Sequence, residues 1–135
     1  METVRINEFI KSLCGDKYKE CEDCLYDGLV PDDELNRVSA ARIIHAFIQK
    51  ALKEDDVKDI NPAAVLRDLY DCRSCVNHIA QVYLKGIMTH VSVHGLENSK
   101  GEDFIIFDGK SLVDKKSAQE MILRAFNRDK RLNPS

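Results

Sequence analysis

The chain of 135 residues reads as one pattern written twice. CLYDGLV at 24–30 lines up with VYLKGIM at 82–88, so Gly28 matches Gly86 and Leu29 matches Ile87. Downstream, LNRVSAARII at 35–44 lines up with VDKKSAQEMI at 113–122. There Asn36 matches Asp114, Arg37 matches Lys115, and Ser39-Ala40 match Ser117-Ala118. The second copy carries an extra stretch between these blocks. Recurrence on this scale means one supersecondary unit used twice, each copy burying its apolar face against the other. Few architectures are compatible with that.

Periodicity supplies the elements. Ile6, Phe9, Ile10 and Leu13 have the spacing of a short amphipathic helix over 5–14, ended by Gly15-Asp16. A second helical stretch, 17–27, ends at Gly28. After the turn VPDDELN, Asn36 can N-cap a long helix over 37–53 with Val38, Ala41, Ile44, Phe47, Ile48 and Ala51 on its apolar face. EDDVKD at 54–59 reads as a solvated connection. Asn61-Pro62 restarts a helix, with proline where a missing N–H is harmless and Ala63, Leu66 and Leu69 or Tyr70 as the buried stripe. Asp71 or Ser74 can cap the next helix, 74–85, which buries Cys75, Ile79, Val82 and Tyr83 and ends at Gly86. HVSVH at 90–94 alternates with period two and FIIF at 104–107 is a short apolar run, which together predict a β-hairpin or ordered loop. Asp114 caps a last helix over 115–127 with Ala118, Met121, Ile122 and Ala125 inward, and NRDKRLNPS reads as a frayed tail. The expected fold is mostly all-α, a single domain over 1–135. It has one unit at about 5–53 and a second at about 62–127, with a β-hairpin insertion at about 89–108.

Composition narrows the function. With 44% hydrophobic and 32% charged residues the chain can bury a core. A net charge of −3 and a pI of about 5.8 argue against nucleic acid as a partner, which normally demands a basic excess. No apolar run reaches the roughly 20 residues of a membrane span. METVRINEFIKSLCGDK lacks the apolar core of a secretory signal, and five cysteines with no export signal fit a reducing compartment. A cytoplasmic location is expected on those grounds.

The cysteines leave alternatives open. Cys21-x2-Cys24 and Cys72-x2-Cys75 supply four thiols, enough for a tetrahedral structural zinc site, and His78 extends the second pair to Cys-x2-Cys-x2-His. Equally, both pairs lie beside helical apolar sequence, where free cysteine acts as a small buried hydrophobe. Redox chemistry is a third reading. Buried thiols, and so no metal, are the first expectation. His90 and His94 share a face of the hairpin strand, with Ser92 between them, and read as solvated. His45 follows Ile43-Ile44 at the edge of its helix. No Gly-rich phosphate loop, nucleophile elbow or HExxH motif is present, the acidic runs Asp32-Asp33-Glu34 and Glu54-Asp55-Asp56 lack an EF-hand pattern, and no enzyme activity is expected.

Each unit resembles the S-layer homology module: a helix ending in Gly-Ile, a loop, then a helix opening on a hydrophobic-Thr-Arg-Ala-Glu type motif. The resemblance covers about 16–53 and 66–127, with LYDCRSCVNHIAQVYLKGIM at 69–88 similar to the module's opening Phe-x-Asp segment and first helix. The motif stands as Asn36-Arg37-Val38-Ser39 and Asp114-Lys115-Lys116-Ser117, which keeps the basic position, and the family's tryptophan is absent. The resemblance implies a non-catalytic binding module located at a cell surface. Arg37 and Lys115, with Asn36 and Asp114 at the helix starts, would hold an anionic cell-wall polymer. A protein partner or a homo-dimer would cover apolar surface that two modules leave bare. A zinc-stabilised helical interaction module using Cys21, Cys24, Cys72 and Cys75 is the alternative.

Overall fold

The computed structural model describes residues 2–94 and 103–133. It is mostly helical, with one small antiparallel strand pair. Helix α1 spans Ile6–Cys14, α2 Glu22–Tyr26, α3 Arg37–Lys50, α4 Val76–Leu84 and α5 Lys115–Phe126; β1 is Val91–Val93 and β2 Phe104–Ile106. The strands pair in the register Val91–Ile106, Ser92–Ile105 and Val93–Phe104.

Two helix starts are fixed in the same way. The Asn36 side chain accepts the Ser39 N–H at 2.8 Å, and the Asp114 carboxylate accepts the Ser117 N–H at 2.7 Å. Each cap satisfies a donor that the first turn of a helix leaves open. Both caps sit on extended backbone, and these pieces join. The Val113 N–H reaches Leu35 O at 2.9 Å, Leu35 N–H reaches Val4 O at 2.7 Å, and Lys115 N–H reaches Glu2 O at 2.9 Å. Three extended segments therefore meet where α3 and α5 begin. Beneath them Phe9, Ile10, Leu35, Ile43, Phe47, Leu66, Val82 and Phe107 belong to one buried apolar cluster. The Phe47 ring receives Tyr18 edge-on at 5.3 Å and Phe126 at 5.4 Å.

Several expectations need correction. The stretch predicted as a helix over 17–27 is a 3₁₀ turn, Lys19–Cys21, followed by the five residues of α2. The helix expected after Pro62 is two 3₁₀ turns, Asn61–Val65 and Leu69–Asp71, with Tyr70 65% exposed. Leu66 is pulled out of helix between them by pairing with Ile105. Neither Asp71 nor Ser74 caps α4; Cys75 occupies that position. The acidic connection and the tail are bound to each other. Glu54 is buried and accepts two parallel bonds from Arg131 at 2.8 Å each, together with Lys85 Nζ at 2.7 Å. Arg131 also donates to Arg124 O and Ala125 O, and Leu132 N–H to Gly86 O. A run of charge that looked solvated carries the one carboxylate of the stretch that cannot face water.

Burial by itself pushes the Glu54 carboxyl up, but the bonds and charges of Arg131 and Lys85 outweigh it and hold the group at about 2. A folded value below the unfolded one stabilises above the unfolded carboxyl range and is lost as pH falls through about 4 toward 2. Glu54→Gln should therefore flatten the acid limb of the stability curve in that window. At neutral pH it should lower stability by about 3 kcal/mol in denaturant titrations, because it strands two buried cations.

Gly28 and Gly86 separate two roles of glycine. Both have positive φ, +82° and +73°, but a Cβ on Gly28 meets open space while one on Gly86 falls 1.9 Å from Leu132 O. Gly28→Ala should cost about 1 kcal/mol of backbone strain. Gly86→Ala should cost clearly more, and limited proteolysis should cut its C-terminal segment faster.

Candidate functional site

The basic residues at the two helix starts have different surroundings. The Arg37 guanidinium lies over the Phe107 ring, 4.8 Å from its centroid, donates through Nε to Phe107 O at 2.8 Å and through Nη2 to Thr89 O. Burial lowers its pKa, and Asp108 and Asp68 act against that shift. Arg37 therefore ties α3 to the strand pair. Lys115 is exposed and borders a different hollow with Glu2, Glu8, Phe9 and Gln119. Asn36 and Asp114 have their side chains engaged as caps.

The cysteines are not equivalent either. Cys72 and Cys75 form a disulfide; Cys14 is a buried thiol, Cys21 half-buried and Cys24 exposed. The expectation of four buried thiols is thereby corrected: Cys72 and Cys75 are bridged, Cys21 is half-buried in the turn before α2, Cys24 is exposed on α2, and Leu25 is the buried residue of that helix. Burial, then the charges of Glu22, Cys21 and Cys24, push the Cys14 thiol up to about 11. Among the described residues no group of three or more His, Cys, Asp or Glu is arranged to hold a metal ion.

Val38, the residue after Arg37, lines a hollow of about 360 Å³. Val38 of α3, Ile79 of α4, Ile106 and Phe107 form its apolar wall, and Asp68, Asp71, Cys72, Asp108 and Lys110 its rim. Asp68 is its keystone. One carboxylate oxygen accepts the Phe107 N–H at 2.7 Å and the other the Asp108 N–H at 2.8 Å. Beside it Arg67 N–H reaches Ile105 O at 2.9 Å, and the Arg67 guanidinium stacks 4.4 Å from the Phe104 ring centroid. Gly109 closes the hollow near α3, its carbonyl accepting the Val38 N–H at 2.9 Å. The three aspartates outnumber Lys110 and Arg37, so the hollow is apolar inside and negative at its edge. It is shaped for an apolar side chain with a cation beside it.

A second constellation lies between α3 and α4. His45 Nε2 is 2.7 Å from an Asp56 oxygen, and His45 Nδ1 is 2.8 Å from His78 Nδ1. Gln49 and Asn77 complete the carboxylate's bonds at 2.9 and 3.1 Å. Asp56 is held below its ordinary range: burial acts upward, and the bonds from His45, Asn77 and Gln49 prevail. An ionised carboxylate only accepts, so the proton on that side belongs to His45 Nε2. When His45 carries only that proton its Nδ1 is bare, and His78 then donates to it from its own Nδ1. That leaves His78 Nε2 as a lone pair. Burial is the main cause lowering the His78 pKa, the Arg42 charge acts the same way, and a proton added to His45 would lower it further.

Little of this was signalled in advance. His45, expected at a helix edge, is buried. Gln49 follows it by four residues, and Asn77, His78 and Gln81 form a polar stripe at helical spacing on the predicted neighbour. Two such stripes mark facing helices, and that was the available signal. His90 packs edge-on to Tyr83, and His94 approaches Asp103 at 3.3 Å in an exposed position. No family model, curated protein or solved structure matches the chain.

The relay makes a checkable statement. Long-range ¹H–¹⁵N spectra should show His78 as the Nδ1–H tautomer, titrating below the ordinary histidine value. Because its folded pKa is lowered, the unfolded chain binds the proton more readily, and stability should fall as pH drops below about 6.5. His78→Asn should reduce that slope.

Proposed function

We propose that the chain is a non-catalytic interaction module made of two related helix–loop–helix units, similar to S-layer homology repeats. On this reading it docks a protein segment that carries an apolar side chain next to a lysine or arginine. The observation that carries this is the hollow between Val38, Ile79, Ile106 and Phe107 with its aspartate edge. The matched caps at Asn36 and Asp114 support the two-unit reading, as do the matched left-handed glycines Gly28 and Gly86. In that arrangement the hollow takes Val38 from the first unit and the rest of its wall from the second. A protein segment is preferred over an anionic glycan because Arg37, one of the two cations a glycan would need, is engaged with the carbonyls of Phe107 and Thr89. Lys115 alone is a weak anchor.

The test is a backbone NMR titration with capped Lys-Leu-Leu-Lys, capped Glu-Leu-Leu-Glu and polygalacturonate as probes. The basic peptide should shift the signals of Val38, Ile79, Ile106 and Lys110, and Asp71→Lys should weaken it several-fold at low salt, a change that salt screens. Shifts produced by polygalacturonate around Lys115, with none from the basic peptide, would replace this reading with the glycan one.

A further inference from the structure

The Cys72 end of a disulfide lies in the rim of the hollow. Cys72 lines it half-buried, while Cys75 is buried at the N-cap of α4, a nine-residue helix with no side chain capping its first turn. The bond closes a separation of only three residues, so it constrains the unfolded chain far less than a long-range bridge. The two sulfurs also differ in a way that favours cleavage in one direction. Attack can reach Cys72 Sγ, next to the exposed Ser74 hydroxyl at 3.5 Å. The displaced sulfur is then Cys75, which as a thiolate would lie at the first turn of α4, where the partial positive charge of the helix start favours it.

We propose that Cys72–Cys75 is a thiol–disulfide exchange site whose substrates are thiols flanked by positive charge. The incoming thiolate forms a bond to Cys72 Sγ as the Cys72–Cys75 bond breaks, and the electron pair leaves on Cys75 Sγ. A second thiolate, from the same dithiol or another thiol molecule, attacks the substrate sulfur of the mixed disulfide and releases Cys72. The protein disulfide is reduced to two thiols, the two substrate thiols are oxidised to a disulfide, and their protons end on Cys72 and Cys75. Asp68, Asp71 and Asp108 at the rim select the cationic substrate and disfavour an anionic one such as glutathione. This goes beyond the docking reading and fails separately from it, since a hollow can bind a peptide beside an inert bridge.

Trypsin makes the test direct, because cleavage after Arg67, Arg73 and Lys85 puts Cys72 on peptide 68–73 and Cys75 on 74–85, apart from Cys14, Cys21 and Cys24. The native protein is treated with cysteamine or glutathione at low and high salt, quenched in acid and mapped by mass, with circular dichroism run in parallel. Expected are a mixed disulfide on 68–73, an unchanged fold after reduction, and a rate per thiolate about tenfold higher for cysteamine at low salt that converges with glutathione at high salt. Asp71→Asn should narrow the gap. A bridge that resists millimolar thiol in the folded protein, adducts on 74–85, unfolding upon reduction, or rates indifferent to thiol charge and salt would each overturn the proposal.

Discussion

The Glu54 carboxylate is the constraint on which much of the arrangement depends. It lies just beyond the end of α3, and its Lys85 and Arg131 partners come from the end of α4 and the C-terminal segment. Glu54 and the two cations that hydrogen-bond to it are each about nine-tenths buried, with the exposed Arg128 a third cation at 3.6 Å, so none of the three buried charges is well solvated alone. A buried pair adds little net stability compared with an apolar substitute, but removing one member is severe. The effect is therefore one of specificity. The chain ends of α3, α4 and α5 are held in one relative placement, and Arg131 reinforces it by donating to the last carbonyls of α5. Close packing of Leu132 over Gly86 follows from that placement, which is why a Cβ has no room there.

At the opposite end of the helices the joining is done by backbone groups and by two side chains aimed at backbone. Asp68 accepts from successive N–H groups at 107 and 108, while Arg37 donates to the carbonyls of 107 and 89. Between them these residues fix the end of β2 against α3 and against the turn at Leu69–Asp71. A two-stranded ribbon is marginal by itself. Here it gains a third contact through the pairing of Leu66 with Ile105, and its apolar side chains reach the core through Phe107. The hollow exists because these ties hold the ribbon at its edge and leave space between Ile106, Ile79 and Val38.

Apolar periodicity made the long helices legible. Asn36 and Asp114 predict the starts of α3 and α5, and glycines at 28 and 86 predict the left-handed stops, because these are local rules that a few neighbouring residues satisfy. The 59–75 region was misread since Leu66 and Leu69 have helical spacing while their backbone follows a tertiary demand, the pairing of 66 with 105. Glu54 and Arg131 are separated by 77 residues, and no local pattern distinguishes a buried carboxylate from its solvated neighbour Asp55. The cysteines show the same limit. Identical CxxC spacing produced a disulfide in one place and two unbridged thiols in the other. The resemblance to a repeated surface module rests on local motifs, so it bears on the units and leaves the hollow's aspartate rim unforeseen.

Helix α4 brings these strands together. Its buried apolar side carries Ile79 and Val82, and its other face carries Asn77, His78 and Gln81, with Lys85 just beyond the end. These are positions i, i+1, i+4 and i+8 of one helical face. Each has a partner in one acidic segment or on α3: Asn77 with Asp56, His78 with His45, Gln81 with the N–H and C=O of Val57, and Lys85 with Glu54 and the carbonyl of Asp55. Residues 54–57 are thus a strip that lies along the polar face of α4 and buries its Gln81 and Lys85 side chains, while Asn77 at its start stays exposed. Such a strip can persist only while its carboxylates are ionised. Glu54 and Asp56 are both held below their ordinary values, and the neutral His78 avoids adding an unpaired cation. Acid therefore works against the strip at both ends, by protonating Glu54 and Asp56 and by charging His78. The rotational phase of α4, which sets where Ile79 and the Cys72–Cys75 bridge face the hollow, depends on that strip remaining in place.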